Sequence, residues 1–171
     1  LPYFVKSEGN ARGAFPGHGA DGPLKVSDIG ARHPLIEAFI AGAGQVGVPR
    51  TEDFNGRDQE GAGYYQLTTH KGLRCSTAKA YLGEARRRPN LRIETDAMAT
   101  QLVLRGRRAT GIRYLQGGQE RQAQARAEVI LSAGAIQSPQ LLQLSGIGPA
   151  ALSQSLGIPV VHDLPGVGEN L

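Results

Sequence analysis

Val129-Ile130-Leu131-Ser132-Ala133-Gly134-Ala135-Ile136-Gln137-Ser138-Pro139-Gln140-Leu141-Leu142-Gln143-Leu144-Ser145-Gly146-Ile147-Gly148 is the stretch whose reading sets the fold. It opens on an unbroken β-branched and aliphatic run, which predicts a strand buried on both faces, as in a parallel sheet. Ala133 and Gly134 predict a tight turn whose small residues let a ligand approach the backbone. Ser138-Pro139 predicts the cap and first turn of a helix carrying Leu141, Leu142 and Leu144. Gly146 predicts its end. Buried strand, small turn and helix N-terminus follow one another in the order of a nucleotide site. The free amides near Ser138 and Gln140 favour negative charge there. The same order also describes an ordinary strand–turn–helix packed through Gly134, and the residues alone leave both readings open.

Upstream, the pattern alternates. Leu91, Ile93 and Thr95 share one parity, Leu102 and Leu104 alternate with polar neighbours, and Ile112 and Tyr114 belong to a further strand. Gly106-Arg107-Arg108 and Gly117-Gly118 are turns, and residues 119–126 alternate again. Together these predict an antiparallel meander of three strands from about residue 91. Downstream, Pro149 opens a short helix that Gly157 closes, and Val160-Val161 predicts a brief strand.

The first third is rich in turns. Gly9-Asn10-Ala11-Arg12-Gly13 and residues 15–23 carry Gly and Pro where the chain must reverse. Leu24-Lys25-Val26 predicts a short strand. Pro34, followed by Leu35, Ile36, Phe39, Ile40 and Ala43 at three- and four-residue spacing, predicts a helix that Gly44 or Gly47 ends. Asp53-Phe54-Asn55-Gly56 predicts a turn, and Ser76 or Thr77 the cap of a helix through Ala78, Ala80, Tyr81 and Leu82.

Gly42-Ala43-Gly44-Gln45-Val46-Gly47 matches G-x-G-x-x-G, the phosphate-binding glycine pattern of nicotinamide-binding domains. Its context is wrong. A helical period precedes it, and Val48-Pro49 follows where a helix should begin. A small nicotinamide-binding domain using Gly42, Gly44 and Gly47 stays as an alternative that requires a buried strand ending at Ala41.

Composition narrows the class. The 171 residues are 40% hydrophobic and 20% charged, an ordinary globular balance. No apolar run approaches the roughly 18 residues of a membrane span. The net charge is +4, carried largely by arginines such as Arg86-Arg87-Arg88 and Arg105, Arg107 and Arg108. A non-catalytic basic binding module is a second alternative, but with no Trp and few aromatics a solvated face is the better reading. No nucleic-acid partner and no metal are expected. Cys75 is the only cysteine, read as a small half-buried side chain. The start at Leu1 without Met or signal peptide, and the end after a loop, suggest an internal segment of a longer, bacterial-type protein, cytoplasmic or membrane-peripheral.

Residues 134–148 resemble the second signature of the glucose–methanol–choline oxidoreductases: small residue, Ser-Pro, paired aliphatics, then Ser-Gly-aliphatic-Gly. The resemblance runs along essentially the whole chain. His18-Gly19-Ala20-Asp21-Gly22-Pro23-Leu24, Asp53-Phe54-Asn55-Gly56, residues 74–82, Arg88-Pro89-Asn90-Leu91 and residues 162–171 all stand in family order, nearest to the choline dehydrogenase-like members. The resemblance implies an α+β segment of an α/β parent. That segment would be part of an FAD-binding Rossmann-like domain with the three-stranded meander, plus part of the substrate-side region. Residues 1–70 would be substrate-side and 71–171 FAD-side. It implies FAD as cofactor and a small-molecule alcohol as substrate, oxidised to the carbonyl by hydride transfer. The electron acceptor is not specified. Met98 would offer its backbone to the adenine, and Ala133 and Gly134 would lie against the ADP half, with Ser138 and Pro139 completing the cofactor set. No catalytic residue is expected in the chain. The family's flavin glycine motif would precede it and the catalytic histidine follow it, so the segment alone is expected to be inactive. His18 and His33 are placed in loops, and His70 and His162 match no catalytic position.

Overall fold

A computed structural model describes residues 1–170, which form two compact units that divide between Ile93 and Glu94. In the first unit, helix α1 (Pro2–Ser7) leads into strand β1 (Glu8–Asn10), which pairs in parallel with β2 (Leu24–Val26). The glycine-rich loop between them is held back on the sheet by Asn10 N–H to the Gly19 carbonyl and Gly22 N–H to the Glu8 carbonyl, both 2.8 Å. Helix α2 (Pro34–Gln45) forms as the apolar spacing predicts, with Pro34 in its first turn and Gly47, at φ +90°, just past its end. Gly42 and Gly44 therefore lie inside a helix, with no strand ending at Ala41. This eliminates the nicotinamide-binding alternative. Of the apolar stripe only Ile40 is buried; Leu35 and Phe39 are 74% and 73% exposed.

A two-strand hairpin follows, β3 (Thr69–His70) with β4 (Leu73–Arg74), turning through Lys71 and Gly72, both at positive φ. Cys75 is buried behind it, its sulfur accepting the Lys25 N–H at 3.4 Å. The predicted second helix is a π-helical turn over Ala78–Leu82 that tightens into α3 (Gly83–Ala85). Ser76 Oγ takes the Lys79 N–H at 3.3 Å.

The second unit is built on the predicted meander: β5 (Ala97–Arg105), β6 (Arg108–Gln116) and β7 (Gln119–Gln124), antiparallel in that order. Arg105 and Arg108 close over Gly106-Arg107, and Gln116 and Gln119 over Gly117-Gly118. Both glycines of the second turn have positive φ, the type I′ form that matches strand twist. The meander starts at Ala97, not near Leu91. Residues 91–95 join no ladder, and bulges after Ala99 and Val103 shift the parity read from sequence.

Helix α4 (Gly134–Leu144) packs on β5. Ser145 Oγ accepts the Leu102 N–H at 2.8 Å and donates to the Leu141 carbonyl at 2.6 Å, so a buried hydroxyl joins helix end to strand middle. Leu102 and Leu141 are buried at this seam. Gly146, at φ +79°, closes the helix. Strand β8 (Ile147–Gly148), helix α5 (Ala150–Ser155) and strand β9 (His162–Asp163) finish the unit, β8 and β9 running parallel. The last strand falls just beyond Val160-Val161, because Val161 and His162 both donate to the Gly146 carbonyl and fix the pairing there.

The decisive stretch departs from expectation in two ways. Residues 129–131 form no strand, and Ile130 is 76% exposed. An interior strand needs ladder partners on both sides, and the described residues supply none beside it. Nor do Ser138 and Pro139 start the helix. It begins at Gly134, and Pro139 sits inside it, removing the N–H that would bond the Ala135 carbonyl.

Candidate functional site

The turn into α4 holds most of the residues singled out for a nucleotide. Gly134 stands at φ +95°, where a Cβ strains the backbone. An added Cβ would meet nothing within 4 Å, so conformation rather than crowding demands glycine. Ala133 precedes it at φ −83°, ψ 4°, and gives its N–H to Ser138 Oγ at 3.0 Å. That bond folds the turn against the helix and brings Ala133, Gly134 and Ser138 together, with Pro139 next to Ser138. A shallow open depression of about 470 Å³ is lined by Ala133, Gly134, Ala135, Ile136 and Gln137. Side chains here are short or turned outward (Ile136 is 69% exposed), so backbone is reachable. The first-turn amides of α4 add a local positive potential. Met98 stands apart from this group, near the start of β5, with 63% of its surface exposed. The bonds between β5 and α4 run from Gln101 and Leu102 to Leu144 and Ser145, at the other end of the helix.

The histidines occupy four different settings. His33 Nδ1 accepts the Leu35 N–H at 3.2 Å, capping α2. His70 lies in β3 and His162 in β9, the latter with Nε2 3.4 Å from an Arg107 guanidinium nitrogen. His18 is only 6% exposed and stacks on Phe15, ring centroids 4.2 Å apart. Its Nδ1 is 2.9 Å from both Glu8 oxygens, and its Nε2 is 3.2 Å from Asp53 Oδ2. Burial works against the charged imidazolium. The hydrogen bond and charge of Glu8, together with Asp53, more than reverse this and raise the His18 pKa. For Glu8, burial acts upward, while hydrogen bonds from His18, Asn10 and the Gly19 N–H pull the pKa below the ordinary carboxylate value. Sequence reading missed this cluster. Glu8, His18 and Asp53 are far apart in the chain, and no period or local motif links them.

The turn at Gly134 sits on a scaffold of mixed helices and strands, and comparison with known proteins gives the family. The GMC oxidoreductase family model matches residues 1–171. The chain is 53% identical to the oxygen-dependent choline dehydrogenase of Pseudomonas entomophila (strain L48) over 175 residues, covering 100% of this chain and 31% of that protein. It is 52% identical over 171 residues to the mitochondrial choline dehydrogenase of Homo sapiens, covering all of this chain and 29% of that protein. Among solved structures, an FAD-dependent oxidoreductase from Chaetomium thermophilum superposes with TM-score 0.86 at 30% identity, over 97% of this chain and 31% of that one. Pyridoxine 4-oxidase from Mesorbium loti gives 0.85 at 31% identity, over 96% and 33%. The chain belongs to the GMC oxidoreductase family. It spans about a third of the length of the relatives it matches.

Proposed function

We propose that the protein carrying this chain is an FAD-dependent oxidoreductase that converts an alcohol, choline or a choline-like primary alcohol, to the carbonyl. The observation that carries the reading is identity above one half with choline dehydrogenases along the entire chain. The turn at Gly134 fits the cofactor's demands: exposed backbone, small side chains, helix amides and open space where a Cβ would point. On this reading Ala133 and Gly134 lie against the ADP half, Ser138 and Pro139 fix the shape of that turn, and Met98 contributes its backbone at the adenine. FAD would supply the hydride acceptor, and the chain's own part is to bind and orient the nucleotide. Residues 1–70 serve the substrate side and 71–171 the FAD side. No residue of the chain is assigned a catalytic role.

Among the described residues, no helix is long and apolar enough to cross a membrane. A cytoplasmic or membrane-peripheral place is part of the proposal, which cell fractionation checks. The functional test is purification of the full-length protein followed by anaerobic addition of choline. A yellow protein whose flavin absorbance bleaches supports the reading. A protein without flavin, or flavin unchanged by choline and simple primary alcohols, overturns it.

A further inference from the structure

A neutral imidazole has one N–H and one lone pair. An ionised carboxylate only accepts. His18 presents both ring nitrogens to carboxylate oxygens, so two good hydrogen bonds need a proton on each nitrogen or one on a carboxyl. In either description the cluster holds one proton more than a neutral imidazole between two carboxylates. The two contacts are unequal. Glu8 offers both oxygens at 2.9 Å and is itself fixed by Asn10 Nδ2 at 2.9 Å and the Gly19 N–H at 3.2 Å. Asp53 offers one oxygen at 3.2 Å, and its other oxygen accepts the Asn55 N–H at 2.9 Å.

We propose that the Glu8–His18–Asp53 cluster is a proton-operated latch, which holds the 53–56 turn against the His18 loop while protonated and releases that turn when the proton leaves. On deprotonation the remaining N–H stays with the doubly bonded Glu8. The Nε2 lone pair then faces Asp53 Oδ2, an unfavourable contact with little water to screen it. The turn that carries Asp53 also carries Phe54, stacked on Tyr65 at 4.1 Å, so release shifts the aromatic pair.

The charges around the latch are few. Glu8 and Asp53 face the ring directly, with Phe15 on its face. Asn10 and Gln66 are neutral links. Beyond them Arg12 bonds Asp28 at 2.8 Å and the Glu52 carbonyl at 2.8 Å, and Arg50 pairs with Glu52 and Glu37. The Lys25 ammonium is held by the Gly22 carbonyl at 2.9 Å. None of these outer groups touches the His18 ring, so the switching proton is that of the cluster.

Hydrogen–deuterium exchange of the full-length protein tests this, read on peptides spanning residues 51–66 and corrected for intrinsic rates. From neutral to alkaline pH the wild type should lose protection there by about tenfold, the worth of one charge-assisted hydrogen bond. Peptides of the 97–116 hairpin should not change. In Asp53→Asn the side-chain amide donates to the lone pair, and the pH dependence should disappear. His18→Gln should show the released level at every pH. Wild-type protection that is flat with pH overturns the latch, as does an equal alkaline loss in Asp53→Asn. That second variant keeps the test open if His18→Gln fails to fold.

Discussion

Residues 8–23 and residues 129–138 both rely on short side chains and sharp backbone turns, yet glycine serves each differently. In the first region a Cβ on Gly19 would collide with the Val5 carbonyl, and one on Gly22 with the Ser7 backbone. The loop closes on its own unit, and its polar groups, His18, Glu8 and Asn10, find partners there. In the second region a Cβ on Gly134 would meet nothing, Ile130 and Ile136 are exposed, and 129–131 has no ladder. The first is closed by its own contacts at Gly9, Asn10, His18, Gly19 and Gly22, all buried. The second has the composition of an interior and the environment of a surface.

This contrast orders the effects of substitution in the full-length protein. Gly19→Ala should be most severe, about 3 kcal/mol or more by denaturant unfolding, because rigid backbone stands where the methyl must go. A cost below about 1 kcal/mol would mean that the loop is loosely packed.

His18→Gln should follow at about 2 kcal/mol, since it leaves two partly buried carboxylates without the charge between them. Its pH profile has a definite sign. The His18 pKa is raised in the folded state, so its stabilisation is full below the unfolded value and fades as pH rises through the folded one. The Glu8 pKa is lowered, so its stabilisation is present above the unfolded value and fades as pH falls through the folded one. Wild type should be most stable between these limits, and the variant should lose the alkaline limb. Thermal melts across pH check both.

Gly134→Ala should cost only about 1 kcal/mol, the strain of a left-handed non-glycine residue with free space around it. Its larger signature should be weaker flavin retention, measured by flavin-to-protein absorbance after dialysis. Loss of stability with full flavin content would detach Gly134 from the cofactor. Met98→Val should change stability by less than about 0.5 kcal/mol and leave flavin content intact, because the assigned contact is through backbone and the side chain is exposed.

What the sequence disclosed follows the range of the interactions involved. Helix α2, the meander and its two glycine turns were legible because period and turn chemistry are local: Gly117-Gly118 needs positive φ whatever surrounds it. The helical spacing of Leu35, Ile36 and Phe39 outweighs the G-x-G-x-x-G pattern, because it continues through Gly42 and Gly44. The run 129–131 was misread because apolar content records what a strand is built to meet, and ladder partners are non-local. The start of α4 was displaced because Ser138-Pro139 fits a first turn in composition, while Gly134 alone could make the positive-φ entry. The Glu8–His18–Asp53 cluster was invisible, since its partners meet only after β1, its loop and the 53–56 turn have come together.

The proposed place of the Gly134 turn is against the cofactor in the intact enzyme, through its backbone. A crystal structure of the full-length, flavin-loaded protein measures this directly. FAD atoms within about 4 Å of the Ala133 and Gly134 main chain are the predicted result. A turn covered by protein side chains or left in solvent, with the flavin bound elsewhere, would contradict it.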